Sequence, residues 1–498
     1  MASINPIENT EGETSQILLE EKEDSKEYNF MSNFTEILLN VIPTAAYLFA
    51  QLVMPLVNLR FIASNCSNIE VDGVGLGNTW LVATYLSLVL GLNTGTSTFG
   101  AQAFGAGNFR VFSLYFHRAF VMRIAMFFPS YALCFVSYYF FLLIGVEEPI
   151  AAAARDYCVY SALALIAMSC YDTFKAFVMA QNVFLPPMIV QGIICVTHYF
   201  WCLLFVEKLQ LGIPGVCLAF GIAQLSGAIC LFLYILVSKE FEETRLPPTK
   251  ECLQGWWKQL KNEFYIASFM ILEWLAYEFC TLISGQFDRV QIAAQAFTYA
   301  IVCALYTPTI GLSVVGSIYI GNALGLKDYN KAVVVTKALF TAAGIIVLFQ
   351  FVLIFFTKDA LARFLTPDTE VQEATIDALI IYLIFMPIDT LQLTITSILK
   401  GAGREKITAL LYLIAFYLIG LGGAYIFGVI VKLYTRGIWL GVGGAITSMG
   451  IMAGLILWRT DYNYQIEMIE TRLLKEEDPL VIENSSDNDD SSMKVTEA

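Results

Sequence analysis

GLNTGTSTFGAQAFG (residues 91–105) and GLSVVGSIYIGNALG (residues 311–325) align without a gap at a shift of 220 positions. Gly91, Leu92, Ser97, Ala103 and Gly105 then match Gly311, Leu312, Ser317, Ala323 and Gly325. Each copy closes a long apolar run and leads into a short polar loop. The same shift lays AQNVFLP (180–186) over KGAGREK (400–406), in each case the loop after the fourth apolar run of its half. Two landmarks at one offset point to a duplicated half.

Working outward from these copies, the 498-residue chain is 57% hydrophobic and only 14% charged, with a mean hydropathy of +0.65. That is too little charge for the surface of a soluble protein of this length. Twelve apolar runs fall near 36–60, 74–104, 116–145, 156–181, 187–206, 212–238, 263–285, 291–324, 332–357, 371–399, 406–431 and 437–458. Each can cross a hydrocarbon core of ~30 Å. The expected fold is an all-α polytopic membrane protein, with twelve transmembrane helices in two six-helix lobes related by the internal repeat. Six crossings separate the copies, so the halves run parallel, a transporter architecture. The expected organisation is a disordered tail (1–35), an N-lobe (36–238), a connector (239–262), a C-lobe (263–458) and an acidic tail (459–498).

Twelve crossings put both tails on one side. The short loops of that side hold Arg110, Arg118, Lys239, Arg245, Lys250, Lys258, Lys261, Lys327, Lys331, Lys400, Arg404 and Lys406, more cations than the opposite loops. The positive-inside bias therefore predicts cytoplasmic termini. The net charge of −14 gathers in tail runs such as EGETSQILLEEKEDSKE and ENSSDNDDSS, which read as solvated disorder. No basic stripe suggests nucleic acid, and no cleavable signal peptide is evident. Eleven scattered cysteines and two histidines, His117 and His198, give no metal set and no disulfide framework. No cofactor is implied. An enzyme is disfavoured because no nucleophile–base set occurs.

Inside the seventh run, ILEWLAYEF (271–279) carries Glu273 and Glu278. A carboxylate in hydrocarbon costs roughly 2.5–3.5 kcal/mol, so such residues mark function or a bundle-interior hydrogen bond. Five positions turn a helix by about 140°, so the two cannot face the same way. Glu273, nearer the middle, is assigned the cavity, and Glu278 a neighbouring helix or the headgroup level. Asp389 follows Pro387 in the tenth run, where proline frees backbone groups; the alternative partners for Asp389 are those groups or Gln392. In the fourth run Asp172 and Lys175 can pair on one helix face. They read as a neutralised structural pair, or as a second polar site with Asn58. Pro186 and Pro187 start the fifth helix.

The chain resembles the multidrug and toxic compound extrusion family in its eukaryotic branch. EWLAYE (273–278) resembles the family's Glu-Trp-x-x-(Phe)-Glu in span seven, and GNALG (321–325) its glycine–asparagine turn after span eight. PIDTLQLTITSILKGAGREK (387–406) resembles span ten with its acidic residue, and GAQAFGAGN (100–108) the end of span two. The resemblance covers about residues 36–460. It implies two six-helix lobes around a cavity that opens alternately to either side, and efflux of organic cations in exchange for protons or sodium ions. Carried over, Glu273 and Asp389 are the proton- and cation-binding carboxylates. The chain departs from the animal pattern at Ala300, where a glutamate is usual, and Ser97 stands where span two often has an acid.

Buried carboxylates hold protons more readily, and a neighbouring like charge adds to this. Proton and cation would then compete for one negative site. Trp274, Tyr277, Tyr299, Tyr306 and Tyr382 offer faces for cation–π contact, with Gln295, Gln392 and Glu278 as candidate polar liners; packing is the alternative for each aromatic and glutamine. The expected partners are small organic cations, H+ (or Na+) and the lipid bilayer, with the protein a monomer. The expected address is the plasma membrane or a vacuolar or endolysosomal membrane, the latter hinted at by ETSQIL (13–18). The rival readings are a flippase of the same fold, which needs a lateral opening and more cavity cations, and a channel or non-transporting scaffold.

Overall fold

The computed structural model describes residues 29–477, and the regular structure among them is helical throughout. The spans are α1 (Phe30–Asn65), α2 (Asn68–Gly105), α3 (Phe109–Leu143), α4 (Ala162–Met179, entered from the short helix Glu148–Tyr160), α5 (Leu185–Lys208) and α6 (Gly212–Val237). The second half has α7 (Trp256–Ser284), α8 (Arg289–Leu305 and Thr307–Gly325), α9 (Tyr329–Leu365), α10 (Thr369–Gly401), α11 (Glu405–Ile430) and α12 (Tyr434–Trp458). Side chains of Asn29, Ser67, Asn108, Asp288, Asp328 and Asp368 accept from first-turn N–H groups and set where six helices begin. Asn29 explains why α1 starts six residues before its apolar run. Pro186 and Pro187 do sit in the first turn of α5. The quoted acidic runs and ETSQIL lie outside the described residues.

The α8 bend of 44° has a local cause. Pro308 cannot donate to the Ala304 carbonyl, and the Thr307 hydroxyl donates to it instead at 3.0 Å. Gln350 of α9 donates to the next carbonyl, Leu305, at 2.6 Å and accepts from Thr309 at 3.1 Å. The bend is thus satisfied on all sides, as lipid demands.

The repeat holds at the level of single hydrogen bonds. Gly107 and Lys327, 220 positions apart, both adopt left-handed backbone (φ 67° and 59°). Asn108 N–H donates to the Ala103 carbonyl and Asp328 N–H to that of Ala323. Asn108 and Asp328 then cap Val111 and Lys331 in the same way. Later landmarks drift: the left-handed pairs Asn182/Gly403 and Gln210/Lys432 stand 221 and 222 apart. The loop after the fourth span therefore aligns one residue away from the offset expected.

With twelve crossings both ends of the described chain reach one face, the terminal face. The two lobes meet in the half of the molecule next to it, where α7 packs along α2 and the second piece of α8 packs on α1 and α2. A Cβ at Gly105 would run into the Asn322 carbonyl, and one at Gly325 into that of Gln102. These contacts are images of each other under the repeat. Glycine is needed because the backbones touch. The Gln102 side chain also donates to Gly401 O at 2.8 Å. The lobes are closed against each other towards the terminal face.

Where an acidic tail was expected after residue 459, a further helix, α13 (Tyr462–Glu477), lies across that closure. Tyr462, Gln465, Ile469 and Leu473 are its buried stripe. Glu476 pairs with Arg118 of α3 and Lys258 of α7, both at 2.7 Å, and Lys327 with Glu470 at 2.6 Å. Arg118, expected in a loop, is thus buried. Burial opposes ionisation of Glu476, but Lys258 and Arg118 outweigh it and hold the carboxyl below its ordinary value of 4.5. A depressed value means this contribution to docking is complete above about pH 4.5 and is lost as pH falls through the lower docked value. Spin labels on α13 and α3 are expected to keep one short distance from pH 8 to pH 5, on the order of the unshifted range, and to separate in stronger acid. Glu476→Gln is expected to lengthen that distance already at neutral pH.

Candidate functional site: a carboxylate pair in the C-lobe

Glu273 and Asp389 come together, from α7 and α10, inside the C-lobe. Glu273 is 8% exposed and Asp389 1%, and the charge of Asp389 reaches Glu273. Their surroundings differ. Asp389 Oδ1 accepts from the Tyr306 hydroxyl at 3.0 Å and from Gln392 Nε2 at 3.2 Å. The α8 bend directly follows Tyr306 and so places that hydroxyl. Among the described residues, no protein donor reaches the Glu273 carboxylate. It is the less compensated group of the two, and the one most in need of a proton or a cation. α10 runs through Pro387 as one helix, and of the partners foreseen for Asp389, Gln392 is the one observed.

The foreseen aromatics cluster around a residue the sequence reading passed over. Tyr277 stacks on Tyr299 with centroids 5.6 Å apart, and lies 6.3 Å from Trp439. Tyr382 meets Trp439 edge-on at 5.5 Å. Gln295 accepts from Trp439 Nε1 at 3.1 Å. Trp439 is fully buried, so its ring sets the positions of Tyr277 and Tyr382 directly and of Tyr299 through Tyr277. Trp439→Phe leaves the Gln295 acceptor without its donor; a loss of about 1–3 kcal/mol in stability is expected, measurable as a lowered unfolding midpoint of the purified protein. Trp274 is half-buried and joins no ring pair among the described residues. Glu278 is exposed, apart from Glu273 as helix geometry requires. Its charge reaches Tyr299 and Cys303 of α8. Ala300 is exposed on the same helix.

The N-lobe set divides in two. Asp172 and Lys175 pair at 2.5 Å. The Tyr47 hydroxyl donates to Asp172 at 3.4 Å and accepts from Lys175, whose ammonium lies 4.3 Å from that ring's centroid. Asn58 is elsewhere: it meets His198 Nε2 at 2.7 Å, about three turns along α1 from Tyr47. The foreseen grouping of Asn58 with the pair is not what the chain builds.

Two further charged features were missed. Lys400, counted as a loop cation, is a buried member of α10 and 8% exposed. The other is an ion pair between lobes, Arg123 of α3 with Glu263 of α7 at 2.9 Å, 1% and 0% exposed. Thr96 and Gln259 each donate to Glu263 Oε1, at 2.7 and 2.8 Å. The signal for Arg123 was present, an arginine inside the apolar run VFSLYFHRAFVMRIAMFF (111–128).

Among the described residues no cluster of His, Cys, Asp and Glu could hold a metal ion. Comparison with known proteins agrees with the helical plan. The MatE family model matches residues 43–204 and 266–426, one copy in each half. Multidrug and toxin extrusion protein 1 of Oryctolagus cuniculus is 28% identical over 438 residues, covering 85% of this chain and 76% of the relative. The Homo sapiens protein of that name is 28% identical over 422 residues, covering 83% and 73%. The solved eukaryotic MATE transporter AtDTX14 superposes with a TM-score of 0.83 at 20% identity, covering 89% of this chain and 99% of that one. With its two matched halves and its membrane-spanning architecture, the chain belongs to the MatE family of membrane transporters.

Proposed function

We propose that this transporter is a secondary active antiporter, exporting organic cations in exchange for protons by alternating access. The observation that carries this reading is the unequal carboxylate pair. Glu273, without a protein donor, takes either a proton or a substrate cation; Asp389, held by Tyr306 and Gln392, keeps a second negative charge beside it. Two occupants competing for one charge exchange stoichiometrically. Each pH unit across the membrane then supplies about 1.4 kcal/mol per proton, roughly tenfold accumulation of a monovalent cation by electroneutral exchange. The tyrosines around Trp439 supply aromatic faces near the pair for a quaternary or tertiary amine.

In this reading the terminal face is cytoplasmic, and the closure between Gly105 and Gly325 is the shut cytoplasmic gate of an outward-facing monomer in a plasma or endolysosomal membrane. Residues 36–238 and 263–458 act as the two lobes, and the connector 239–262 carries the chain between them. Vesicles holding the parent protein are expected to take up a radiolabelled quaternary amine when an outward-directed proton gradient is imposed. Uptake driven by sodium instead would reassign the coupling ion; uptake under neither gradient would remove the antiport reading.

One observation favours the flippase alternative. An apolar groove of about 410 Å³ lies between α7 and α11, lined by Phe279, Leu282, Ile283, Gln286, Tyr417 and Leu421. The cavity on its inner side, beside Ala276, Tyr277 and Phe416, has only about 10 Å³. That is at most the size of one water. Neither cavity is lined by Glu273 or Asp389, and the cation antiporter remains the better reading.

A further inference from the structure

Lys400 is a buried ammonium for which the exchange reaction so far has no use. Its Nζ donates to the Ser313 hydroxyl at 3.1 Å and lies 5.9 Å from the Phe269 ring centroid. Among the described residues no carboxylate comes within ion-pair distance of it, unlike Lys175, which holds Asp172. One hydroxyl and one ring face are poor compensation for a buried charge. What does compensate it can be located from helix geometry. Phe269 stands one turn below Glu273 on α7, about 6 Å along the axis towards the terminal face and on the same side of the helix. Lys400 stands three turns below Asp389 on α10, again on the same side. The lysine therefore lies on the terminal side of Glu273, and the two charges act on one another, while Asp389 stands about 16 Å further along its helix.

We propose that Lys400 is a built-in cation of the exchange site, and that it selects singly charged organic cations against doubly charged ones. The inference rests on the antiport reading above. With both carboxylates ionised, Glu273 and Asp389 contribute two negative charges and Lys400 one positive charge. The site therefore carries a single net negative charge for an incoming ligand to neutralise. A monocation completes the balance. A dication leaves an unpaired positive charge in a low-dielectric interior, with the ammonium of Lys400 fixed beside it.

The test uses two probes of one ring chemistry, N-methylpyridinium and N,N′-dimethyl-4,4′-bipyridinium, which carry one and two positive charges. Binding to the purified full chain is read by displacement of radiolabelled N-methylpyridinium, so that a variant unable to transport still reports. The parent is expected to bind the monocation more tightly. In Lys400→Met the ratio of the two affinities is expected to move at least about fivefold towards the dication, on the order of 1 kcal/mol, and Lys400→Arg is expected to restore the parent ratio. Should Lys400→Met not fold, Lys400→Gln, which keeps a donor for Ser313, carries the same expectation. A parent-like ratio in the neutral variants would overturn the role of Lys400 while leaving antiport intact. Absence of proton-driven uptake by the parent in vesicles is the separate result that would remove the antiport reading.

Discussion

Glu273→Gln is expected to lower the initial rate of gradient-driven organic-cation uptake by at least about 100-fold, equal to roughly 2.7 kcal/mol, with the protein still present in the membrane. Glutamine keeps the shape of the side chain and removes the charge for which, in the antiport proposal, proton and cation compete. The size of the effect follows from the surroundings. Asp389 shares its charge with two donors, Tyr306 and Gln392, whereas Glu273 has none among the described residues. In the antiport proposal, the charge that lacks protein partners is the one whose neutralisation is left to the transported species. Asp389→Asn is accordingly expected to act less severely, about tenfold, by weakening the field at the site rather than by removing its exchanging group. Initial rates in vesicles, normalised to surface-labelled protein, decide between the two; equal rates for parent and Glu273→Gln would take Glu273 out of the mechanism.

The second large effect is on stability. Arg123 and Glu263 form a fully buried pair whose acceptor side is saturated by Thr96 and Gln259, while Arg123 Nε and Nη1 have no partner. Gly95 lies against the Glu263 backbone, where a Cβ would come within 2.9 Å of its Cα, so the site has no slack to admit a replacement ion. Removing one partner leaves the other charged and buried; Arg123→Met and Glu263→Gln are each expected to cost about 3–5 kcal/mol. Replacing both by apolar residues of similar volume removes the desolvation cost together with the attraction, so the paired Arg123→Met, Glu263→Met variant is expected to be more stable than either single change. A double-mutant cycle of unfolding midpoints checks this, and strict additivity would show that the pair is not coupled. Because the pair joins α3 to α7 across the lobe interface, its loss is also expected to favour the state open towards the terminal face.

Much of the fold was legible because its signals are local. Apolar runs gave the spans, and the glycines of 91–105 and 311–325 marked both copies of the unit, since only glycine permits the Gly105–Asn322 and Gly325–Gln102 backbone approaches. The bend of α8 was not read, although Thr307-Pro308 encodes it; an apolar run has the same hydropathy bent or straight. Glu273 and Asp389 stood out as acids inside hydrocarbon. Lys400 and Glu263 did not, because each lies near the end of an apolar run, where a charge is ordinarily solvated. Glu263 is buried by Thr96 and Arg123 of the other lobe, and Lys400 lies against Ser313 and Phe269 of neighbouring spans, which no single span records. Trp439 was hidden for a similar reason: its role depends on tyrosines from α7 and α10 and a glutamine from α8 converging on it. The grouping of Asn58 with Asp172 failed because equal polarity within one lobe says nothing about height along the helices.

The central claim, that proton and organic cation compete for the pair at Glu273 and Asp389, has one direct test. Purified protein in weakly buffered detergent solution, at a pH where the empty site holds its proton, is mixed with a saturating organic cation while the pH is followed. The account predicts release of protons in proportion to the cation bound, and no release when Glu273→Gln and Asp389→Asn are combined. Saturable cation binding to the parent without proton release would contradict it.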